Sequence, residues 1–375
     1  MRVTKVQAHF IAVLIMVSLV NCRGVKNNDS AQMPEEIIIP YDRPLNEITL
    51  LGTHNSYALK GRIAFANQAL DLPTQIKYGV RSIELDFWKR WYAGFIITHD
   101  ARYNPFHYKA LDYLKGIKKL LDDQPDLFLR LHPDIHISAS ELEQLMDDAG
   151  LLPYCYKHTP GTPWPTLFEL VKINKRFWIT GGPTAYWTSS SSELMVIPGK
   201  SGMEALSLGV SGTLEADMFE IRAYATNKFE YGSEKNSKTI NDFHFIRNMT
   251  LNAWKKFGRQ PNIIGVDYFR KEDGLINVAN YLNACHRINV TVKDEEGNFV
   301  PRIQWQNNYS LTDAYEIPFP SKDIDGSETY GKACFPAENG EQITIFPVKE
   351  GFKFTPESVT LDGIVKNHTI EFVMD

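Results

Sequence analysis

The sequence predicts an α/β chain in which a (β/α) barrel of the TIM type is followed by a small all-β sandwich. Three observations lead there. Short apolar runs alternate with amphipathic segments of helical period up to Ala284, the pattern of a parallel sheet with crossover helices. Polar residue clusters sit where several of those runs end, and the downstream strand ends of a barrel are where active sites form. After Ala284 the helical period vanishes, and alternating strands with Gly, Asn and Pro turns replace it.

Taken in order, residues 1–21 read as an export signal. Arg2 and Lys5 precede an uncharged apolar run from Phe10 to Val20, shorter than the ~20 residues of a spanning helix. The run ends Ser18-Leu19-Val20-Asn21-Cys22, which resembles a bacterial lipoprotein signal cleaved before a lipidated Cys22. Asn21 departs from the small residue usual there. Residues 22–39 are then a lipidated tether, 40–287 the barrel and 288–375 the sandwich. The expected location is the bacterial cell envelope, on its periplasmic or surface side, as a lipid-anchored protein, or else secreted. A net charge of −5 with no basic run excludes a nucleic-acid partner, and no obligate protein partner is expected. Cys155, Cys285 and Cys334 have neither disulfide-framework nor zinc spacing, so buried thiols are expected.

The predicted barrel strands are 48–51, 82–87, 95–98, 127–131, 176–179 and 262–266. Leu111, Leu114, Ile117 and Leu121 recur at helical spacing between two of them. Leu142, Leu145, Met146 and Ala149 do the same, with Ser138 and Glu141 as a capping box and Gly150 as a stop. Residues 188–213, rich in Ser and Gly, read as a long loop or lid. Beyond the boundary, 288–292, 342–347 and 368–373 alternate as half-buried strands. The stretch 346–356 resembles transthyretin-like and carboxypeptidase-regulatory modules.

The chemistry is concentrated in three clusters: Gly52-Thr53-His54-Asn55-Ser56-Tyr57, the run from Gly79 to Trp88 holding Glu84-Leu85-Asp86, and Thr98-His99-Asp100. Glu84 and Asp86 are two apart on one strand and point to the same side. Two inward carboxylates in apolar sequence repel each other unless a cation lies between them. With the neutral oxygen of Asn55 the set is all-oxygen, which suits calcium or magnesium rather than zinc. His54 and His99 on neighbouring strand ends supply an acid and a charge stabiliser near neutral pH. Asp100 is expected to orient a histidine. The combination suits cleavage of a phosphodiester.

These segments resemble the phosphoinositide-specific phospholipase C superfamily, most closely its calcium-dependent bacterial members. The resemblance implies a barrel enzyme in which His54 assists phosphoryl transfer and His99 is the general acid for the leaving group. It implies Ca2+ bound by Asn55, Glu84 and Asp86, and substrate contacts from Arg222, in Glu220-Ile221-Arg222-Ala223, and from Asp267 and Tyr268, in Val266-Asp267-Tyr268-Phe269. The family places another acidic ligand on the strand that here reads Leu129-Arg130-Leu131-His132-Pro133-Asp134, so Asp134 or His132 has to serve. The implied activity is cleavage of the glycerol–phosphate bond of an inositol phospholipid or related headgroup, the partners being phospholipid and membrane. Two alternatives stand beside it. A glycerophosphodiester phosphodiesterase shares the barrel and the Glu-x-Asp pair but normally begins His-Arg-Gly where this chain has His54-Asn55-Ser56. A non-catalytic lipid- or glycan-binding surface lipoprotein is the other.

Overall fold

In the computed structural model, residues 37–99, 101, 104–182, 185–191, 195–196, 216–225, 232–309 and 328–375 are described. The export signal, Cys22, most of the tether, Asp100 and most of the 188–213 segment lie outside them. No described helix is long and apolar enough to cross a membrane.

The parallel strands are β1 (Leu50–Thr53), β2 (Ser82–Arg90), β5 (Leu129–Ile135), β6 (Cys155–Tyr156), β7 (Phe177–Ile179), β8 (Met195–Val196), β9 (Met218–Ala223) and β10 (Pro261–Val266). They run side by side as β6-β7-β5-β2-β1-β10-β9-β8, so the last parallel strand lies against the first and the sheet curls towards a barrel. Among the described residues no strand pair joins β6 to β8, and the ring is open there. Strands β3 (Gly94–Ile97) and β4 (Tyr108–Lys109) lie off this path.

Segment 95–98 is not a parallel barrel strand. It is β3, the return strand of a hairpin, with Phe87 opposite Ile97 and Arg90 opposite Gly94 in antiparallel register. Only Trp91, Tyr92 and Ala93 separate the two strands, whereas a crossover between parallel strands needs a dozen residues or more.

The helices are α1 (Leu72–Lys77), α2 (Ala110–Asp123), α3 (Ala139–Asp148), α4 (Leu167–Lys172), α5 (Glu234–Ile240), α6 (Phe243–Phe257) and α7 (Leu275–Ala284). Helix α2 buries Ala110, Leu114, Ile117 and Leu121, one stripe of its surface. Helix α3 starts at the Ser138–Glu141 capping box, each residue satisfying the other's free N–H, and Gly150 follows in left-handed conformation.

Alternation along three strands decides what faces where. Ile83, Leu85 and Phe87 on β2, Leu129 and Leu131 on β5, and Phe219, Ile221 and Ala223 on β9 join the apolar layer under the helices. Their alternates point into the curl: Ser82, Glu84, Asp86 and Trp88; Arg130, His132 and Asp134; Glu220, Arg222 and Tyr224. The interior is therefore polar. Its floor is a buried ion cluster in which Arg130 Nη2 donates to Glu220 Oε2 at 2.6 Å and Arg222 Nε to Glu220 Oε1 at 2.8 Å. Ser82 and Thr180 hydroxyls accept from Arg130. Arg130 and Arg222 keep Glu220 well below the usual carboxylate range against the opposing effect of burial.

Strand β11 (His286–Lys293) follows α7 directly and begins two four-stranded sheets. The others are β12 (Ile303–Asn307), β13 (Glu328–Thr329), β14 (Lys332–Ala337), β15 (Ile343–Val348), β16 (Phe354–Thr355), β17 (Val359–Leu361) and β18 (His368–Met374), in orders β14-β11-β18-β16 and β13-β12-β15-β17. Their separate core includes Ile288, Val290, Trp305, Phe335, Ile345 and Phe372. They pack where strands enter the barrel: Arg287 pairs with Glu47 at 2.8 Å, and Trp254 Nε1 donates to the Cys334 carbonyl at 2.7 Å. Gly258, at φ +59°, ends α6 there, and a Cβ on it would lie 2.8 Å from Ala333 and Phe335.

Candidate active site

Because the strands are parallel, residues just beyond β1, near the end of β2, on β5 and at the end of β9 meet at one face. They line a cavity of about 710 Å³ with His54, Asn55, Glu84, Asp86, Trp88, His99, His132, Asp134, His136, Arg222 and Tyr224 among its walls. The fold thus brings both expected histidines, all four expected oxygen ligands and Arg222 to one cavity.

His54 follows β1. Its Nδ1 lies 2.8 Å from Asp267 Oδ1, and since a carboxylate only accepts, Nδ1 carries the hydrogen and Nε2 is the basic nitrogen. Nε2 accepts from Asn55 Nδ2 at 3.1 Å. The Tyr224 ring stacks on the imidazole at 3.9 Å and 7°, and the Tyr224 hydroxyl donates to Glu84 Oε2 at 3.0 Å. Base and carboxylate are therefore held through one tyrosine.

His99 reaches the cavity from the loop after β3. Its Nδ1 is 3.2 Å from the Phe65 carbonyl, so Nδ1 donates and Nε2 is the nitrogen that can exchange a proton in the cavity. Arg90 clamps that loop by donating to the Ala101 and Asn104 carbonyls, and Asn104 Nδ2 donates to Ala64 O at 3.0 Å.

Glu84 and Asp86 share a wall but shift in opposite directions. Burial opposes ionisation of Glu84, yet His54, His132 and Arg222 together hold it below the ordinary glutamate value. Asp86 has no such neighbours: burial first, then Glu84 and Asp134, push it well up. Its Oδ1 is buried with no hydrogen bond of good geometry, and the Tyr57 hydroxyl beside the carboxylate opposes the shift only weakly. Burial, then Arg130 and Arg222, lower the proton affinity of His132, with Nδ1 on the Thr180 carbonyl and Nε2 3.3 Å from Arg222 Nη2.

The donor set fits an oxygen-seeking dication in chemistry. Asn55 spends its amide nitrogen on His54 and Asn67, so Oδ1 is its free donor, and a cation would supply the charge that orphaned Asp86 and its repelling neighbours lack. Among the described residues no three His, Cys, Asp or Glu side chains gather closely enough to hold a metal, so a cation held here would need Asn55 beside Glu84 and Asp86. Asp134 sits opposite Asp86 in register, but its side chain is 54% exposed and lies 3.3 Å from His136 Nε2. It occupies the rim rather than the floor.

Two expected substrate contacts lie behind the wall. Asp267 is fully buried under His54, and Tyr268 turns back at φ +49° to donate its hydroxyl to the Ala66 carbonyl at 2.7 Å. Neither lines the cavity. The backbone reverses directly after β10, which directs Asp267 at the histidine and Tyr268 into the preceding loop. Sequence reasoning passed over Tyr224 and Asn67, and it left Trp88 and the His136 stacked on it (3.5 Å) outside the expected site. Tyr224 follows Arg222, and Trp88 follows Asp86, at the two-residue spacing of a strand face, and that signal was available. Asn67 carried none.

Residues 41–183 match the family model described as PI-PLC X 1, a span holding His54, Asn55, Glu84, Asp86, His99 and Asp134. Among solved structures the chain is similar to a phosphatidylinositol-specific phospholipase C from Staphylococcus aureus, at 14% identity and TM-score 0.44 over 65% of this chain and 94% of that one. It is similar also to a point mutant of that enzyme, at 15% and 0.43 over 66% and 97%. PLC21 of L. pealei matches at 12% and 0.36 over 82% of this chain and 50% of that one. No curated protein matches the chain.

Proposed function

We propose, from the match of residues 41–183 to the PI-PLC X 1 family model and the geometry of the site, that the chain is a calcium-dependent phosphodiesterase of the phosphoinositide-specific phospholipase C type, cleaving the glycerol–phosphate bond of an inositol phospholipid or related headgroup. The observation that carries the reading is the pairing of two histidines in one cavity, each with Nδ1 tied to a fixed acceptor and Nε2 as the nitrogen that moves a proton. His54 Nε2 takes the proton of the headgroup hydroxyl next to the phosphate, and Asp267 stabilises the imidazolium that results. The hydroxyl oxygen bonds to phosphorus. The bond from phosphorus to the glycerol oxygen breaks, and His99, protonated at the outset, gives its Nε2 proton to that oxygen. A cyclic headgroup phosphate and a diacylglycerol are the products. Arg222, anchored by Glu220, offsets charge on the phosphoryl oxygens. Calcium held by Asn55, Glu84 and Asp86 would add positive charge at the phosphate and lower the proton affinity of the attacking hydroxyl.

Exposed aromatics at the same face support a lipid substrate. Trp91 is 96% exposed at the tip of the β2–β3 hairpin, Tyr92 and Phe106 are exposed near it, and such rings favour a water–lipid boundary. Export and lipidation at Cys22 belong to the same proposal, since they would hold the site beside a membrane. The test is headgroup release from phosphatidylinositol, phosphatidylcholine and glycerophosphodiesters in parallel. Release from the inositol lipid supports the reading. Turnover of glycerophosphodiesters alone would favour the related soluble-diester activity instead, and no turnover of any would favour a binding protein.

A further inference from the structure

Phe65 stands on the loop between β1 and α1 at φ +60°, a left-handed conformation rare for a bulky side chain, kept only where the surroundings impose it. Its carbonyl lies 3.2 Å from His99 Nδ1, and its ring meets the imidazole edge-on, with centroids 6.4 Å apart at 88°. We propose that Phe65 is a positioning residue whose left-handed backbone aims its carbonyl at His99 Nδ1 and so keeps Nε2 as the nitrogen that serves the cavity. The inference deepens the proposed role of His99 as general acid and rests on it.

The direction of that carbonyl is set by the chain around it. Asn104 Nδ2 donates to the Ala64 carbonyl at 3.0 Å and holds the peptide plane before Phe65. Asn104 is fully buried, and its Oδ1 accepts from Phe106 N at 3.1 Å, so its amide is fixed in that orientation. The Tyr268 hydroxyl donates to the Ala66 carbonyl at 2.7 Å and holds the plane after Ala66. With the chain pinned on both sides, the rotations at Phe65 decide where its carbonyl points. A right-handed or extended Phe65 would swing the carbonyl off Nδ1. Asn104 also belongs to the loop that carries His99, which Arg90 clamps through the Ala101 and Asn104 carbonyls. Donor and acceptor are therefore held by one loop.

A carbonyl oxygen only accepts, so it keeps a hydrogen on Nδ1 in the charged and the neutral ring alike. The proton that His99 releases is then the one on Nε2, and the proton that reloads it returns to Nε2. Without that acceptor the charged ring can lose either proton. A neutral ring that keeps its hydrogen on Nε2 is a far weaker acid.

The experiment compares Phe65→Asn with Phe65→Val. Both remove the ring, but asparagine tolerates the left-handed region and a β-branched residue resists it. The tautomer of neutral His99 is read by ¹⁵N NMR of histidine-labelled protein, assigned by loss in His99→Ala, beside kcat on the lipid and on a diester with an aryl leaving group. Wild type and Phe65→Asn are expected to hold the hydrogen on Nδ1. Phe65→Val is expected to show both tautomers and a kcat on the lipid lower by about 10- to 100-fold, with most of the aryl rate kept. Phe65→Ala biases the backbone the same way more mildly and should fall between the two, so it carries the comparison if the valine variant does not fold. An unmixed Nδ1 tautomer in the folded valine and alanine variants would overturn the proposal. Equal mixing in Phe65→Asn and Phe65→Val would overturn it too, by assigning the effect to the ring, and so would equal rate losses on both substrates. The tautomer is read without substrate, so failure of this proposal and failure of the headgroup assay are told apart.

Discussion

His99 and Asp86 make separable claims at the scale of single residues. With Nδ1 on the Phe65 carbonyl, Nε2 is the His99 nitrogen to which the proposed function assigns the leaving-group proton. His99→Ala should lower lipid turnover by about 100- to 10,000-fold, the range for loss of a general acid. A substrate with an aryl or thiolate leaving group should recover much of that rate, and equal loss on both substrates would contradict the role. Asp86 is the opposite case, a residue that costs stability where it stands. Its proton affinity is higher in the fold than in the unfolded chain, so an ionised Asp86 weakens the fold increasingly as pH rises above the ordinary value of 3.8. Asp86→Asn should therefore raise the Tm of chelator-treated protein near pH 7, at about 2–4 °C per kcal/mol for a domain of this size, while silencing turnover. Thermal unfolding with and without calcium checks it, and a lower Tm in chelator would contradict the assignment. Glu84 and Asp86 were legible because two acids at strand spacing in apolar sequence demand explanation. Asp267 was legible as a candidate, but its contact with His54 was not, since the two lie 213 positions apart.

At the scale of elements, the β2–β3 hairpin shows how a segment can reach the cavity on a scaffold other than the expected one. Phe95-Ile96-Ile97 is as apolar as a parallel barrel strand, and nothing in its composition marks it as a return strand. Only the shortness of the Trp91–Ala93 link does. The hairpin tip carries exposed Trp91 and Tyr92, and the adjacent Arg90 donates to the Tyr92 hydroxyl at 2.8 Å while clamping the His99 loop. Trp91→Ala with Tyr92→Ala should reduce turnover of vesicles far more than turnover of a soluble diester. Equal effects on both would remove the hairpin from lipid contact. The ion cluster beneath the site makes a second prediction. Glu220→Gln leaves Arg130 and Arg222 facing each other without a counter-charge, a loss of about 3–5 kcal/mol by denaturant unfolding. Because Glu220 is held far below its ordinary 4.5, its contribution is full above that pH and declines as pH falls below it. The wild type should lose stability in that acid range, and Glu220→Gln should lose less.

Over the whole molecule, the sandwich and the cavity occupy opposite ends of the strands. Arg287, Cys334 and Glu341 hold Glu47, Trp254 and Lys255, all near strand entries, whereas the site gathers at strand exits. The alternation of Ile288, Val290 and Val292 made the sandwich legible, but its docking was not, because that depends on Gly258 lacking a side chain and on a tryptophan's single N–H. Gly258→Val should loosen the docking and lower Tm, with kcat on a soluble diester unchanged in the folded fraction. The claim on which all of this depends is that the two histidines cleave an inositol phospholipid together, and ³¹P NMR of phosphatidylinositol vesicles incubated with the protein and calcium tests it most directly. Wild type should convert the phosphodiester signal to that of a cyclic inositol phosphate, with His54→Ala and His99→Ala each failing to do so on the same timescale. No cyclic product from folded, calcium-supplied wild type, or conversion at the same rate by either variant, would contradict it.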